Sequence, residues 1–526
     1  MKVLVSDNLA DSGIEQLMSV PELDVEVSTS LTHDELRHVI KEYDALVIRS
    51  GTKVTADIIE AADNLKVIGR AGIGLDNVDI SAASKRGIVV MNTPEGNVIT
   101  TAEHAIAMIL SVSRNIPQAT RSMKEGKWEK KRFRGKEVFN KVLGVIGVGR
   151  IGRIVADRAK GLKMNVIGYD PYISSEVVDK LGIQGVSLDE LFARSDYITV
   201  HTPMTPETRS LINAAAFSKM KKGVFIINCA RGGIVDENAL YDAIQAGIVG
   251  GAALDVFTQE PPKDNPLLTL DQVIVTPHLG ASTDEAQENV AVAVADQVID
   301  FLVRGTIRNA VNAPSIDGAV LAHIRPYLTL SEKLGLLLTQ ITRGAIEQVS
   351  IEFIGEVTTL DTRPLTLSIL KGMLTPILGD MVNFVNVPVH VKERNIRVTE
   401  SQRSEAEDFT NLISIYVKTS EEANFVAGTI FGKKDPRMVR INDFRLEAVM
   451  DGHLVLIYNI DTPGTIGAIG TCLGRHHINI SMMDVGQVLE RGQNIIFLRT
   501  DTPVPKHVVE ELLAMENVNV VQVLEL

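Results

Sequence analysis

Gly147-Val148-Gly149-Arg150-Ile151-Gly152 follows the apolar run "KVLGVI" and precedes an amphipathic stretch beginning at Arg150. A strand that turns on three such glycines into a helix can belong to very few folds. Gly147 permits the tight turn, Gly149 lets a pyrophosphate approach the backbone, and Gly152 lets helix and strand pack closely. The helix N-terminus then faces the phosphates. The next apolar run, "NVIGYD", ends in Asp170, 18 residues beyond Gly152. A carboxylate there accepts hydrogen bonds from the adenosine ribose and repels a 2′-phosphate, which favours NAD over NADP. Taken alone, the glycines could be no more than a tight turn; the flanking runs and Asp170 make them a dinucleotide-binding turn.

Further apolar runs continue the pattern: "YITVHTP", "VFIINCA", "GAALDVF" and "VIVTPH". Upstream, "KVLVS", "ALVIRS", "KVIGRAG" and "GIVVMN" alternate with helix-length segments. Strands spaced by helices predict βαβ units and parallel sheets. "TAEHAIAMILSVSRNI" (101–116) has helical spacing and suits a hinge-like connector. "ASTDEAQENVAVAVADQVIDFLVRG" predicts a long helix, with Ser282 and Glu285 as a capping box and Gly305 as the stop. Residues 315–450 mix helix and strand signals without a glycine fingerprint. From about 453 the order βαββαβ is that of a ferredoxin-like unit.

Length and composition set the bounds. A chain of 526 residues exceeds one core, and three or four domains are expected. The net charge of −13 and 4% aromatic content argue against nucleic acid as a partner. Two cysteines, Cys229 and Cys472, give neither a disulfide framework nor a zinc spacing, so no metal is expected and a reducing cytoplasm is. No apolar run is long enough to span a bilayer, and "MKVLVSDN" meets Asp7 before a signal-peptide core could form, so no membrane association is expected.

In open α/β sheets, ligands bind beyond the carboxyl ends of the strands. Arg231, Asp255 and His278 follow three successive predicted strands, with Glu260 five residues after Asp255. The four are expected to converge on one crevice rim. A hydroxy-acid dehydrogenase needs such groups: an arginine for the substrate carboxylate, a histidine to take the hydroxyl proton, and a carboxylate to steady the imidazolium. Each has a plainer reading as well, as a turn residue, a cap or a structural histidine; their joint placement argues for catalysis.

"GVIGVGRIG", "NCARGGIVDE", "GAALDVFTQEPP" and "TPHLGAST" resemble the signatures of the D-isomer-specific 2-hydroxyacid dehydrogenases. "RSGTKVTADII", "GRAGIGLDNVD" and "MNTPEGN" look like the phosphoglycerate branch, and "NIDTPGTIGAIGTCLGRHHINI" resembles an ACT regulatory domain. The resemblance covers nearly the whole chain and is loosest over 315–450. It implies an α/β protein of two Rossmann-like lobes with parallel sheets, an α+β intervening domain and a ferredoxin-like ACT domain. The expected bounds are a substrate-binding lobe at 1–97 with 286–311, an NAD-binding Rossmann domain at 98–285, an intervening domain at 312–450 and the ACT domain at 453–526.

The resemblance also assigns roles. Arg231, Glu260 and His278 match catalytic positions. Arg150, Ile151, Asp170, Thr202, Cys229, Ala230, Asp255, Gly280 and Ala281 match cofactor contacts. Arg49, Ser50, Arg70, Gly74 and Asn97 match the substrate pocket. Lys130, in the basic run "KWEKKRFRG", matches a cation that can reach a partner subunit's site, although a solvated loop accounts for most of that run. The implied reaction is NAD-dependent oxidation of 3-phospho-D-glycerate to 3-phosphooxypyruvate, the first step toward serine, in a homodimer or homotetramer. The ACT resemblance implies an L-serine effector at Asn459, Asp461 and Asn479, with Asn479 expected to face the other two. Rival readings are a glyoxylate or hydroxypyruvate reductase, which would lack the ACT tail, and a non-catalytic NAD-sensing corepressor-type protein.

Overall fold

The computed structural model describes residues 1–314, 318–405, 408–432, 434–488 and 492–526. The first lobe is a five-stranded parallel sheet. Its spatial order is Asp24–Val27, Lys2–Val5, Ala45–Ile48, Val67–Arg70, Val89–Asn92. The edge strand Asp24–Val27 has no sequence forecast because its "DVEV" is mostly exposed and carries two acids. The strands Ala45–Ile48, Val67–Arg70 and Val89–Asn92 are buried almost end to end, as strands covered on both faces must be.

The second lobe has a seven-stranded parallel sheet that reverses its order beside Val142–Ile146, the strand leading into the glycine turn. To one side lie Asn165–Tyr169 and the two-residue Gln184–Gly185. To the other lie Tyr197–Val200, Val224–Asn228, Val249–Leu254 and Val273–Val275. Such a reversal opens a crevice at the carboxyl ends of the strands. The helix Val98–Arg114 links the lobes and buries Ala102, Ala105, Met108, Ile109 and Val112 against the second sheet. Asn115, at φ +51, ends it in the left-handed region.

The chain returns through the helix Asp284–Arg304, which packs Val290, Ala291, Val294 and Val298 into the first lobe. Gly305 stops it at φ +66, as predicted. Its cap is Thr283, not Ser282: the Thr283 hydroxyl accepts the Ala286 N–H. Ser282 instead closes the preceding turn, donating its N–H to Leu279 O.

Beyond it, the helix Gly318–Gln340 pairs with Arg363–Leu378 over a mixed six-stranded sheet. The last unit is the predicted βαββαβ: Ile480–Val488, Gln493–Thr500, His453–Ile460 and Val518–Glu525 in spatial order, with helices Thr465–Arg475 and Lys506–Leu513 on one face. Its other face shares a core with the mixed sheet, through Leu454, Leu456, Ile495, Phe497 and Leu524. Asn383 and Val385 tie the mixed unit to the first lobe, Asn383 Nδ2 donating to Gly87 O at 2.9 Å.

Candidate active site

The glycine turn has the geometry its spacing demands. Gly147 sits at φ +90, and a Cβ there would lie 2.6 Å from His201 O. A Cβ on Gly152 would lie 2.0 Å from Gly147 O, so any side chain would push helix from strand. At Gly149 a Cβ would meet nothing within 4 Å, which leaves the helix N-terminus open to a diphosphate. Asp170 accepts from Val148 N at 3.0 Å and Tyr172 N at 3.0 Å, which aims its carboxylate at the turn. Thr202 Oγ1 is buried beside the turn without a partner. This donor and acceptor set fits a dinucleotide.

A cavity of about 710 Å³ runs from this turn into the gap between the lobes. Arg49, Ser50, Arg70, Gly74 and Asn97 line it from the first lobe and the connector. Arg150, Ile151, Thr202, Cys229, Ala230, Arg231, Glu260, His278, Gly280 and Ala281 line it from the second. Sequence reasoning therefore placed residues up to 232 positions apart, from Arg49 to Ala281, in one cleft.

His278 Nδ1 lies 2.7 Å from Glu260 Oε2, while Glu260 Oε1 accepts from Phe257 N at 3.0 Å. The carboxylate is thus fixed at one oxygen and holds the imidazole with the other, leaving Nε2 for the cleft. His278 adopts φ +55, a conformation that costs a non-glycine residue about 1–2 kcal/mol. Its N–H, donating to Asp255 O at 2.9 Å, helps to hold it there.

Arg231 spans the cleft: Nε donates to Asp76 Oδ2 at 2.9 Å and Nη1 to Ala230 O at 2.7 Å. A Cβ on Gly74 would lie 2.1 Å from Arg231 Nη2, so a side chain here would push the guanidinium out of this position. Arg70 completes a cationic wall with Arg49. Burial, reinforced by the Arg231 charge, pushes the Arg70 guanidinium down to about 10, and its Nε is buried without a partner. Burial also lowers Arg49, although Asp7 opposes the shift. Cations desolvated this way, with unused donors, suit an anion carrying more than one charge.

Two placements differ from the sequence expectation, those of Asp255 and Asn479. Asp255 is not on the rim but fully buried beneath it, where it accepts from Leu279 N at 2.7 Å, Gly280 N at 2.8 Å and Thr276 Oγ1 at 2.5 Å. Burial alone would raise its carboxyl. Hydrogen bonds from His104, Thr276 and Leu279 outweigh that and hold it below the ordinary range. Asp255 therefore anchors the 276–280 loop that presents His278. Lys130 is exposed on a turn held by Glu129 and Arg132, with Arg132 Nη2 at 2.7 Å from Asp271, and it does not line its own chain's cleft.

Asn479 does not face Asn459 and Asp461. Ile460 pairs with Gln493 and Ile480 with Thr500, at opposite ends of one strand. At about 3.4 Å per residue the two ends are roughly 24 Å apart. The crossover helix Thr465–Arg475 carries the chain back along the sheet before the next strand begins, so a strand end and the following strand start cannot meet. Asn459 Oδ1 is buried without a partner, and Asp461 Oδ1 accepts from Asn494 at 2.8 Å.

His104 and Asp76 escaped the sequence reading. His104 Nε2 lies 3.2 Å from Asp255 Oδ1, but it sits mid-helix and nothing local marks it. Asp76 pairs with Arg231 only through the meeting of the two lobes.

Comparison with known proteins agrees with this geometry. Residues 106–280 match the NAD-binding domain of the D-isomer-specific 2-hydroxyacid dehydrogenases, and a D-lactate dehydrogenase structure from Aquifex aeolicus, complexed with NAD and lactic acid, superposes at a TM-score of 0.53 with 29% identity, over 60% of this chain and all of that one. Residues 323–442 match the D-3-phosphoglycerate dehydrogenase intervening domain and 453–517 the ACT domain. The chain is 45% identical to the D-3-phosphoglycerate dehydrogenases of Methanocaldococcus jannaschii, over 100% of both chains, and of Archaeoglobus fulgidus, over 98% of both. The chain belongs to the D-3-phosphoglycerate dehydrogenase family.

Proposed function

We propose that this protein oxidises 3-phospho-D-glycerate to 3-phosphooxypyruvate with NAD, the first step of phosphorylated serine biosynthesis. The observation that carries this reading is the cleft itself: a histidine–glutamate pair faces three arginines beside a dinucleotide turn. NAD, when bound along the turn, supplies the hydride acceptor. His278 Nε2 takes the hydroxyl proton, and Glu260 stabilises the imidazolium that forms. Arg231 binds the substrate carboxylate once that carboxylate displaces Asp76. Arg49 and Arg70 hold the phosphate. Asp170 receives the adenosine ribose, and Gly147, Gly149 and Gly152 shape the phosphate-binding turn.

We assign the division into lobes as the sequence drew it, at 97/98, 285/286, 311/312 and about 450. Among the described residues no helix is long and apolar enough to cross a membrane. The two free cysteines suit a reducing compartment, and we place the protein in the cytoplasm. L-Serine is the proposed effector, bound at Asn459 and Asp461. Because Asn479 lies at the far end of its own sheet, it can complete that site only from a second copy, which makes the regulated form at least a dimer. The test is NADH formation with 3-phosphoglycerate, with and without serine. No turnover would overturn the activity; turnover insensitive to serine would overturn only the regulation.

A further inference from the structure

The two helices of the C-terminal unit face each other with four side chains of metal-binding type, none of which lines the cleft. Cys472 lies in the last turn of Thr465–Arg475 and His476, four residues on, caps its C-terminus, so both fall on one side of the helix end. His507 and Glu511 have the same spacing on Lys506–Leu513. The faces meet: His476 Nε2 lies 2.7 Å from Glu511 Oε2, and the His476 and His507 ring centroids are 5.2 Å apart. The Cys472 sulfur, a His476 ring nitrogen and a Glu511 oxygen all lie within 4.8 Å of one another.

We propose that Cys472, His476 and Glu511 bind a zinc ion that bridges these helices, with the fourth position open toward His507. In a tetrahedral zinc site the bond lengths place ligand atoms about 3.3–3.6 Å apart. His476 and Glu511 must therefore separate by roughly 0.6 Å and the thiol must close in, which side-chain rotation can supply. One thiolate, one imidazole and one carboxylate select zinc over magnesium or calcium, which take oxygen ligands. Cys472 is buried at the base while His476 and Glu511 are half-buried at the mouth, so an ion can enter from solvent. As the Zn–S bond forms, the thiol proton passes to solvent. Arg475 reaches the other Glu511 oxygen at 3.0 Å, but its side chain is 64% exposed and can swing to water. Cysteine counting gives no sign of such a site, because one half lies about 30 residues from the other and only one cysteine is involved.

The test uses the full-length protein, stripped by chelator and desalted, then titrated with Zn²⁺ and separately with Co²⁺ as a spectroscopic probe. About one equivalent of zinc should bind per chain, and cobalt should show a thiolate charge-transfer band with tetrahedral d–d absorption. Cys472→Ser should abolish that band and weaken zinc binding by more than about 100-fold, as loss of the only thiolate ligand requires. Glu511→Gln should weaken binding as well, and neither change should alter dehydrogenase turnover. No bound zinc in the wild type, or equal binding by Cys472→Ser, would leave only a His–Glu–Arg ion-pair network and overturn the proposal.

Discussion

Asparagine at position 255 would keep the shape of the aspartate and remove its charge. In the native site Oδ1 accepts from Thr276 and Leu279 and Oδ2 from Gly280, with His104 alongside. An amide oxygen can serve one side only; the amide nitrogen then opposes a donor on the other. The loss is one hydrogen bond to a charged group, about 1.5–3 kcal/mol, together with the desolvation of a backbone N–H left unpaired, so about 2–4 kcal/mol in all. For a lobe of this size, about 2–4 °C per kcal/mol predicts a fall of roughly 4–16 °C in its unfolding transition, read by calorimetry. The cost also reaches the chemistry. The loop that Asp255 anchors holds His278 at positive φ, and relaxing it by about 1 Å can reduce kcat/KM by as much as 100-fold. pH gives a second reading. Because the folded-state pKa of Asp255 is lowered, its stabilisation is present above the unfolded value of about 3.9 and is lost as pH falls through the lower folded value. The gap between wild type and Asp255→Asn should therefore shrink at strongly acid pH. A transition within about 1 °C of wild type at neutral pH, with unchanged kcat/KM, would refute this account of the anchor.

Asp170→Ala should relax the NAD preference, since the ribose acceptor and the charge that repels a 2′-phosphate both go; an unchanged NAD/NADP ratio of kcat/KM would show that Asp170 does not read the ribose. Arg70→Ala and Arg49→Ala should harm 3-phosphoglycerate far more than an unphosphorylated 2-hydroxy acid, and equal losses would show that neither arginine reads phosphate. Asp461→Ala should desensitise the enzyme to serine while leaving uninhibited kcat nearly unchanged, and full serine sensitivity would place the effector elsewhere.

The legible parts of this protein are those whose chemistry is local. Gly147, Gly149 and Gly152 announce their turn because backbone sterics act within six residues. Arg231 and His278 stand out because a charged or titratable group at the end of an apolar strand needs an explanation, and the topology of α/β sheets gathers strand ends. Burial is harder to read. Asp255 follows a strand as Arg231 does, yet it turns inward, because the 276–280 loop needs an acceptor and His104 arrives from another helix. Asp76 meets Arg231 only across the gap between lobes. Asn479 is hard to place for a topological reason: adjacency in the chain suggests adjacency in space, whereas a crossover helix returns the chain to the opposite end of the sheet. Ser282 and Thr283 are both plausible caps, and only the turn that occupies Ser282 decides between them.

The central claim is that His278, held by Glu260, moves the proton in an oxidation that Arg231 and the dinucleotide turn set up. His278→Ala tests it most directly, through NADH formation from 3-phosphoglycerate measured beside NAD affinity. The account predicts a fall in kcat of about 10²–10⁴-fold with NAD binding retained. Wild-type turnover in that variant would contradict it.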